Sequence, residues 1–202
     1  MTAFITRCCK KLEVWRRPVS VALLLFAAGA ALAGSIEPRH ATLNAGDEHY
    51  ALAAEFTINL GPRLEEAVTR GVPLNFNLEF TLDRPRKYWV DEHIATRNLA
   101  YRLTYHSLTR QYRLSTGSLY QNFDSLHEAL RVMSRIGALP VVEKTALKPG
   151  ETYTAALRLT LDRSQLPKLF QIDAFTDRDW QVEGSTLRWQ FVAPATGSVS
   201  AP

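Results

Sequence analysis

The chain has 202 residues, 46% hydrophobic, 22% charged and 10% aromatic, with 10 Gly and 10 Pro, a balance that excludes disorder, collagen and coiled coil. At this length one domain is expected, able to bury on the order of two thirds of its unfolded surface without disulfides or metal. The formal net charge of +4 belongs to the first 33 residues, since the remainder carries 19 basic and 19 acidic residues; this excludes a basic nucleic-acid protein.

The first element in chain order is a leader spanning residues 1–33. Arg7, Lys10, Lys11, Arg16 and Arg17 form a basic n-region, Val19 to Leu32 an apolar run, and Ala31-Leu32-Ala33 a small-x-small site before Gly34. The pattern reads as an export signal, either a cleaved signal peptide or a retained signal anchor. The apolar run falls short of the roughly 18–20 residues of a spanning helix. Cys8 and Cys9 both lie in the n-region, so the body has no disulfide and no Cys-ligated metal. Gly34 stands where a lipoprotein needs cysteine, and the flanks of Arg16-Arg17 match a twin-arginine signal poorly.

Beyond Gly34 two periods alternate. Gly61-Pro62 opens a first helix, with Leu64, Ala67 and Val68 on one face until Gly71. Leu74 to Asp83 then alternates apolar and polar for ten residues, as a strand with one face in water. Tyr101, Leu103 and Tyr105 repeat the pattern, with Arg102, Thr104 and His106 outward. Ser125 and Glu128 have capping-box spacing for a second helix. Leu126, Ala129, Leu130, Met133 and Ile136 line one of its faces, and Gly137 falls at its C-terminal cap. Strands return at Ala155 to Leu161 and at Leu187 to Phe191, and residues 193–202 read as a disordered tail.

Short polar turns, such as Ser107 to Arg110 and Gly184-Ser185, favour antiparallel pairing. The expected fold is mainly β, a single antiparallel two-layer β-sandwich over residues 34–192 with two inserted helices. Leu147-Lys148-Pro149-Gly150-Glu151-Thr152-Tyr153 resembles the turn-plus-tyrosine element of fibronectin type III and other immunoglobulin-like domains. In that element the Tyr153 hydroxyl bonds back to the turn backbone.

No catalytic constellation is expected. The body's five histidines, His40, His49, His93, His106 and His127, share no i, i+2 or i, i+4 spacing, so no metal site is expected. Asp91-Glu92-His93 is the densest polar cluster, and it lacks local partners to complete a metal shell. A triad of Asp91, His106 and Ser107 fails unless a turn intervenes there, because neighbours in an extended strand face opposite ways. No nucleophile elbow, zinc-helix motif or phosphate-cradling glycine run appears, and no cofactor is expected. A pair of distant carboxylates, as in glycosidases, stays open.

Two surface candidates stand out. Arg84-Pro85-Arg86-Lys87-Tyr88-Trp89 interleaves cations with aromatics, the residues enriched at binding hot spots. The expectation is that Tyr88 and Trp89 start the next strand and pack inward while the cations solvate a hairpin; the alternative is a recognition strip. Arg102, Thr104, His106 and Arg113 would share the polar face of an adjacent hairpin, as a wet sheet surface or, again, a recognition strip.

A resemblance covers nearly the whole body. It rests on the leader, on Leu64-Glu65-Glu66-Ala67-Val68-Thr69-Arg70-Gly71-Val72-Pro73-Leu74 and on Arg86-Lys87-Tyr88-Trp89-Val90-Asp91. Tyr101 to Tyr112 and Leu161-Asp162-Arg163-Ser164-Gln165-Leu166-Pro167-Lys168 complete the set. Together these segments resemble an uncharacterised proteobacterial exported family, the domain of unknown function numbered four-three-nine-zero. The resemblance implies one exported domain, no established activity, no assigned catalytic residue, and often a gene near an envelope sensor kinase. The expected function is a non-catalytic periplasmic binding or accessory module. Its expected partner is an envelope or inner-membrane protein, such as a sensor kinase, with the membrane itself met only through an uncleaved leader. The alternative is an envelope hydrolase acting on a polymer or lipid.

Overall fold

Apolar residues at every second position force extended backbone, because only a strand sends such residues to one side. The computed structural model describes residues 34–168 and 182–194, so the leader lies outside the described residues. In chain order the elements are β1 (Ser35–Ala45), β2 (His49–Asn59), α1 (Gly61–Thr69), β3 (Leu74–Arg84), β4 (Glu92–His106), β5 (Gln111–Thr116) and β6 (Leu119–Phe123). There follow α2 (Leu126–Met133), β7 (Arg135–Glu143), β8 (Thr152–Leu161), β9 (Glu183–Gly184) and β10 (Thr186–Val192).

These strands form two sheets, ordered β7-β2-β1-β9 and β10-β8-β3-β4-β5-β6. Every pairing is antiparallel except that of the two-residue β9 beside β1. Leu74, Phe76, Leu78, Phe80 and Leu82 on β3, Ala155, Leu157, Leu159 and Leu161 on β8, and Tyr50, Leu52, Ala54 and Phe56 on β2 join one buried cluster. Tyr50 and Phe191, from different sheets, meet edge to face with ring centroids 5.2 Å apart. The mainly β, antiparallel class with two inserted helices is therefore what the chain adopts. Sheets of four and six strands differ from the four-plus-three division of an immunoglobulin constant domain.

Both helices begin where expected. Asn59 Oδ1 accepts from the Gly61 N–H at 2.9 Å, and Leu64, Ala67 and Val68 are buried. The Gly71 and Val72 N–H groups donate to Val68 and Ala67 carbonyls, a Schellman closure that needs the left-handed backbone of Gly71, φ 91°. Ser125 Oγ accepts from the Glu128 N–H at 3.2 Å and starts α2. This helix is shorter than its apolar stripe suggested. It ends at Met133, and Ile136 and Gly137 lie in β7, where Ile136 sits opposite Ala54 of β2. Pairing with β2 outcompetes another helical turn, and Ile136 reaches the same core from a strand.

Two further expectations are corrected. Gly184-Ser185 is no hairpin turn; it carries the chain from β9 in one sheet to β10 in the other. A Cβ on Gly184 would sit 2.5 Å from the Leu159 carbonyl oxygen, so only glycine fits that crossing. Ala193, assigned to the tail, is buried and exchanges backbone hydrogen bonds with Gly150 and Glu151. Residues 195–202 lie outside the described residues.

The turn-plus-tyrosine element forms. Tyr153, 1% exposed, accepts from the Lys148 N–H at 2.8 Å and lies 3.5 Å from Glu151 Oε2. Tyr153→Phe keeps the ring and orphans that N–H, so a loss of about 1–2 kcal/mol is expected. Phe80→Ala, which opens a cavity in the core, should cost about 3–5 kcal/mol. Denaturant titration of the two variants checks both the order and the sizes.

Candidate functional site

The β3–β4 connection is set by where pairing stops. Arg84 opposite Glu92 is the last rung, and Pro85 has no N–H with which to make another. Seven residues, Pro85 to Asp91, bridge the gap.

Charge closes the base of this loop. Arg84 Nη1 donates to Glu151 Oε2 of the Lys148–Tyr153 turn at 2.9 Å, and its Nη2 donates to Glu92 Oε2. Arg86 Nη2 donates to the same Glu92 oxygen at 2.7 Å, while its backbone N–H donates to Asp91 Oδ1 at 3.2 Å. The hydrogen bonds from Arg86 and then Arg84 hold the Glu92 carboxyl below the usual range. The bond from Arg84 does the same for Glu151. Arg84 in turn is raised, first by Glu151 and then by Glu92. Two of the three cations of the strip thus hold the loop's own base, and Lys87 is left without a polar partner among the described residues.

Above this clamp the apolar residues stand in solvent. Tyr88, Trp89 and Val90 are 91%, 80% and 89% exposed. The expectation that Tyr88 and Trp89 start a strand and pack inward is corrected. β4 begins only at Glu92, so the aromatics lie beyond the last rung, while Leu82 and Ala95 occupy the inward positions at this end.

The second candidate strip forms its shared face. Thr104 of β4 lies opposite Arg113 of β5, with Arg102 and His106 two residues to either side. Arg113 Nε donates to Asn122 Oδ1 at 3.0 Å, and its guanidinium lies 4.6 Å from the centre of the Tyr120 ring. Arg102 lines a cleft of about 480 Å³ with Asn75, Asn77, Ser115, Asp162 and Gln165. His106 ends the strand that Glu92 begins, so it lies roughly 45 Å from the loop at about 3.3 Å per residue. The two strips are separate surfaces. The same distance divides Asp91 from His106 and Ser107.

One arrangement escapes the sequence altogether. Asp83 Oδ1 lies 2.8 Å from His93 Nδ1, and His93 Nε2 lies 2.8 Å from Thr96 Oγ1. In an unbroken strand residues 93 and 96 face opposite ways. A register shift, with Leu82 opposite Ala95 and Asp83 opposite His93, brings them together. The set is exposed, His93 by 56% and Asp83 by 35%.

Among the described residues no group of three or more His, Cys, Asp or Glu is placed to hold a metal, and no helix is long and apolar enough to cross a membrane. A family model described as Domain of unknown function (DUF4390) matches residues 33–190. No curated protein and no solved structure matches the chain.

The lowered carboxyls fix a direction for pH. Their contribution to holding the loop is present above the ordinary glutamate range and fades as pH falls through their lowered folded values. NMR titration should find Glu92 and Glu151 below ordinary glutamates of the same protein. In Arg84→Met both should return toward the ordinary value, Glu151 further than Glu92, which keeps Arg86.

Proposed function

The chain belongs to the family described as domain of unknown function DUF4390, and from that premise we propose that it is a non-catalytic periplasmic accessory module that docks at a membrane. Its partner in this reading is an inner-membrane or envelope protein such as a sensor kinase. The observation that carries the reading is the tip Tyr88-Trp89-Val90, three successive apolar side chains held in water over an ion-paired base. A lone exposed apolar residue is ordinary, but a contiguous group on a braced loop marks a contact surface. Trp and Tyr give large contact area at little entropy cost.

A second reading draws on Asp83, His93 and Thr96. Their hydrogen bonds run in the order carboxylate, imidazole, hydroxyl, the order an acyl-transfer triad uses, which favours a hydrolase acting on an envelope polymer or lipid. Against it, water reaches all three groups, and an acyl-transfer site depends on excluding water. Thr96→Ala separates the readings, since it removes the only nucleophile of the set and leaves the loop untouched.

The double variant Tyr88→Ser, Trp89→Ser should retain stability within about 0.5 kcal/mol, because neither side chain packs on the core. Crosslinking a tagged full-length chain in its native envelope should then recover severalfold less membrane-associated adduct than the parent. Equal recovery would contradict docking through this loop.

A further inference from the structure

We propose that what receives the Tyr88–Val90 tip is the phospholipid headgroup layer of the membrane in which the module's protein partner sits; this deepens the docking reading above, by saying what the tip itself touches, and rests on it.

Area argues first. Two aromatic side chains of roughly 150–250 Å² each and a valine offer on the order of 500 Å². A standard protein interface needs about 800 Å² from each side. The tip is also poor in free polar groups, because Arg84, Arg86, Asp91 and Glu92 are already engaged with one another or with Glu151. A protein interface would need a polar rim there, whereas a lipid interface receives a small convex apolar tip without a matching surface.

Chemistry argues next. Trp and Tyr each join an apolar ring to one polar hydrogen, the character that places them at the boundary between headgroups and acyl chains. Lys87, directly before them and unpaired among the described residues, suits the anionic phosphates of that layer. The same end of the sheet adds Val192, 57% exposed, which closes β10 opposite Thr152, two residues from the partner of Asp83 on β8.

The test uses the full chain with Cys8→Ser and Cys9→Ser, carrying an environment-sensitive fluorophore on Val90→Cys. A control carries it on Leu108→Cys, 99% exposed in the turn after β4 and so at the other end of that strand. With phosphatidylethanolamine vesicles containing phosphatidylglycerol, the label at 90 should shift to the blue and be quenched severalfold more by headgroup-level nitroxide lipids than the label at 108. Lys87→Gln should weaken the preference for anionic over phosphatidylcholine vesicles, and Tyr88→Ser with Trp89→Ser should abolish the shift. Equal quenching at the two positions would overturn the lipid assignment. A photoreactive group on Val90→Cys in the native envelope separates the two levels. Adducts to lipid support the proposal, and adducts to a protein overturn it while leaving docking intact. Adducts to neither overturn both.

Discussion

Arg84 is bonded to two carboxylates that the chain brings from different places, Glu92 across the β3–β4 rung and Glu151 from the turn before β8. A guanidinium can serve both because its donors fan out in one plane, which a lysine ammonium cannot imitate. The consequence is geometric. The last rung of the sheet, the first residue of β4 and the tyrosine-braced turn become one connected base from which the loop rises. The partners are too exposed for this to be a large source of stability. Its effect is on where the loop sits.

That position explains why the apolar tip is tolerated. A flexible loop bearing Tyr88, Trp89 and Val90 would relax onto the nearest apolar surface and bury part of its area. Here the three side chains stand exposed instead. The polar face around Arg102, His106 and Arg113 is a different surface, far along β4, where Arg113 lies over the Tyr120 ring. The two strips lie toward opposite ends of β4 and share no strand.

Much of the fold was legible because it depends on period alone. The alternation from Leu74 to Asp83 became β3 with its five apolar residues buried, and the Pro-Gly turn before Tyr153 formed the bond from Lys148. What was hidden depends on register. Nothing local says that α2 stops at Met133 so that Ile136 can pair with β2, because the same apolar spacing serves either ending. The inward expectation for Tyr88 and Trp89 failed for a related reason. Aromatics beside a strand end usually enter the core, and only the last rung, Arg84 with Glu92, shows that these two fall outside it. The Asp83, His93 and Thr96 contacts need a register shift that no sequence pattern announces. For the candidate site, the cation-rich composition was visible, but which cations are engaged was not: Arg84 and Arg86 turn inward on carboxylates and Lys87 does not.

Docking through this loop requires that its apolar tip stand in water. Hydroxyl-radical footprinting of the full chain reads this directly, with buried Tyr153 and exposed Leu108 as internal references in the same digest. Tyr88 and Trp89 should react at rates typical of fully exposed aromatics, far above Tyr153. Protection of both to the level of Tyr153 would mean that the tip packs inward, and would contradict the docking surface built on it.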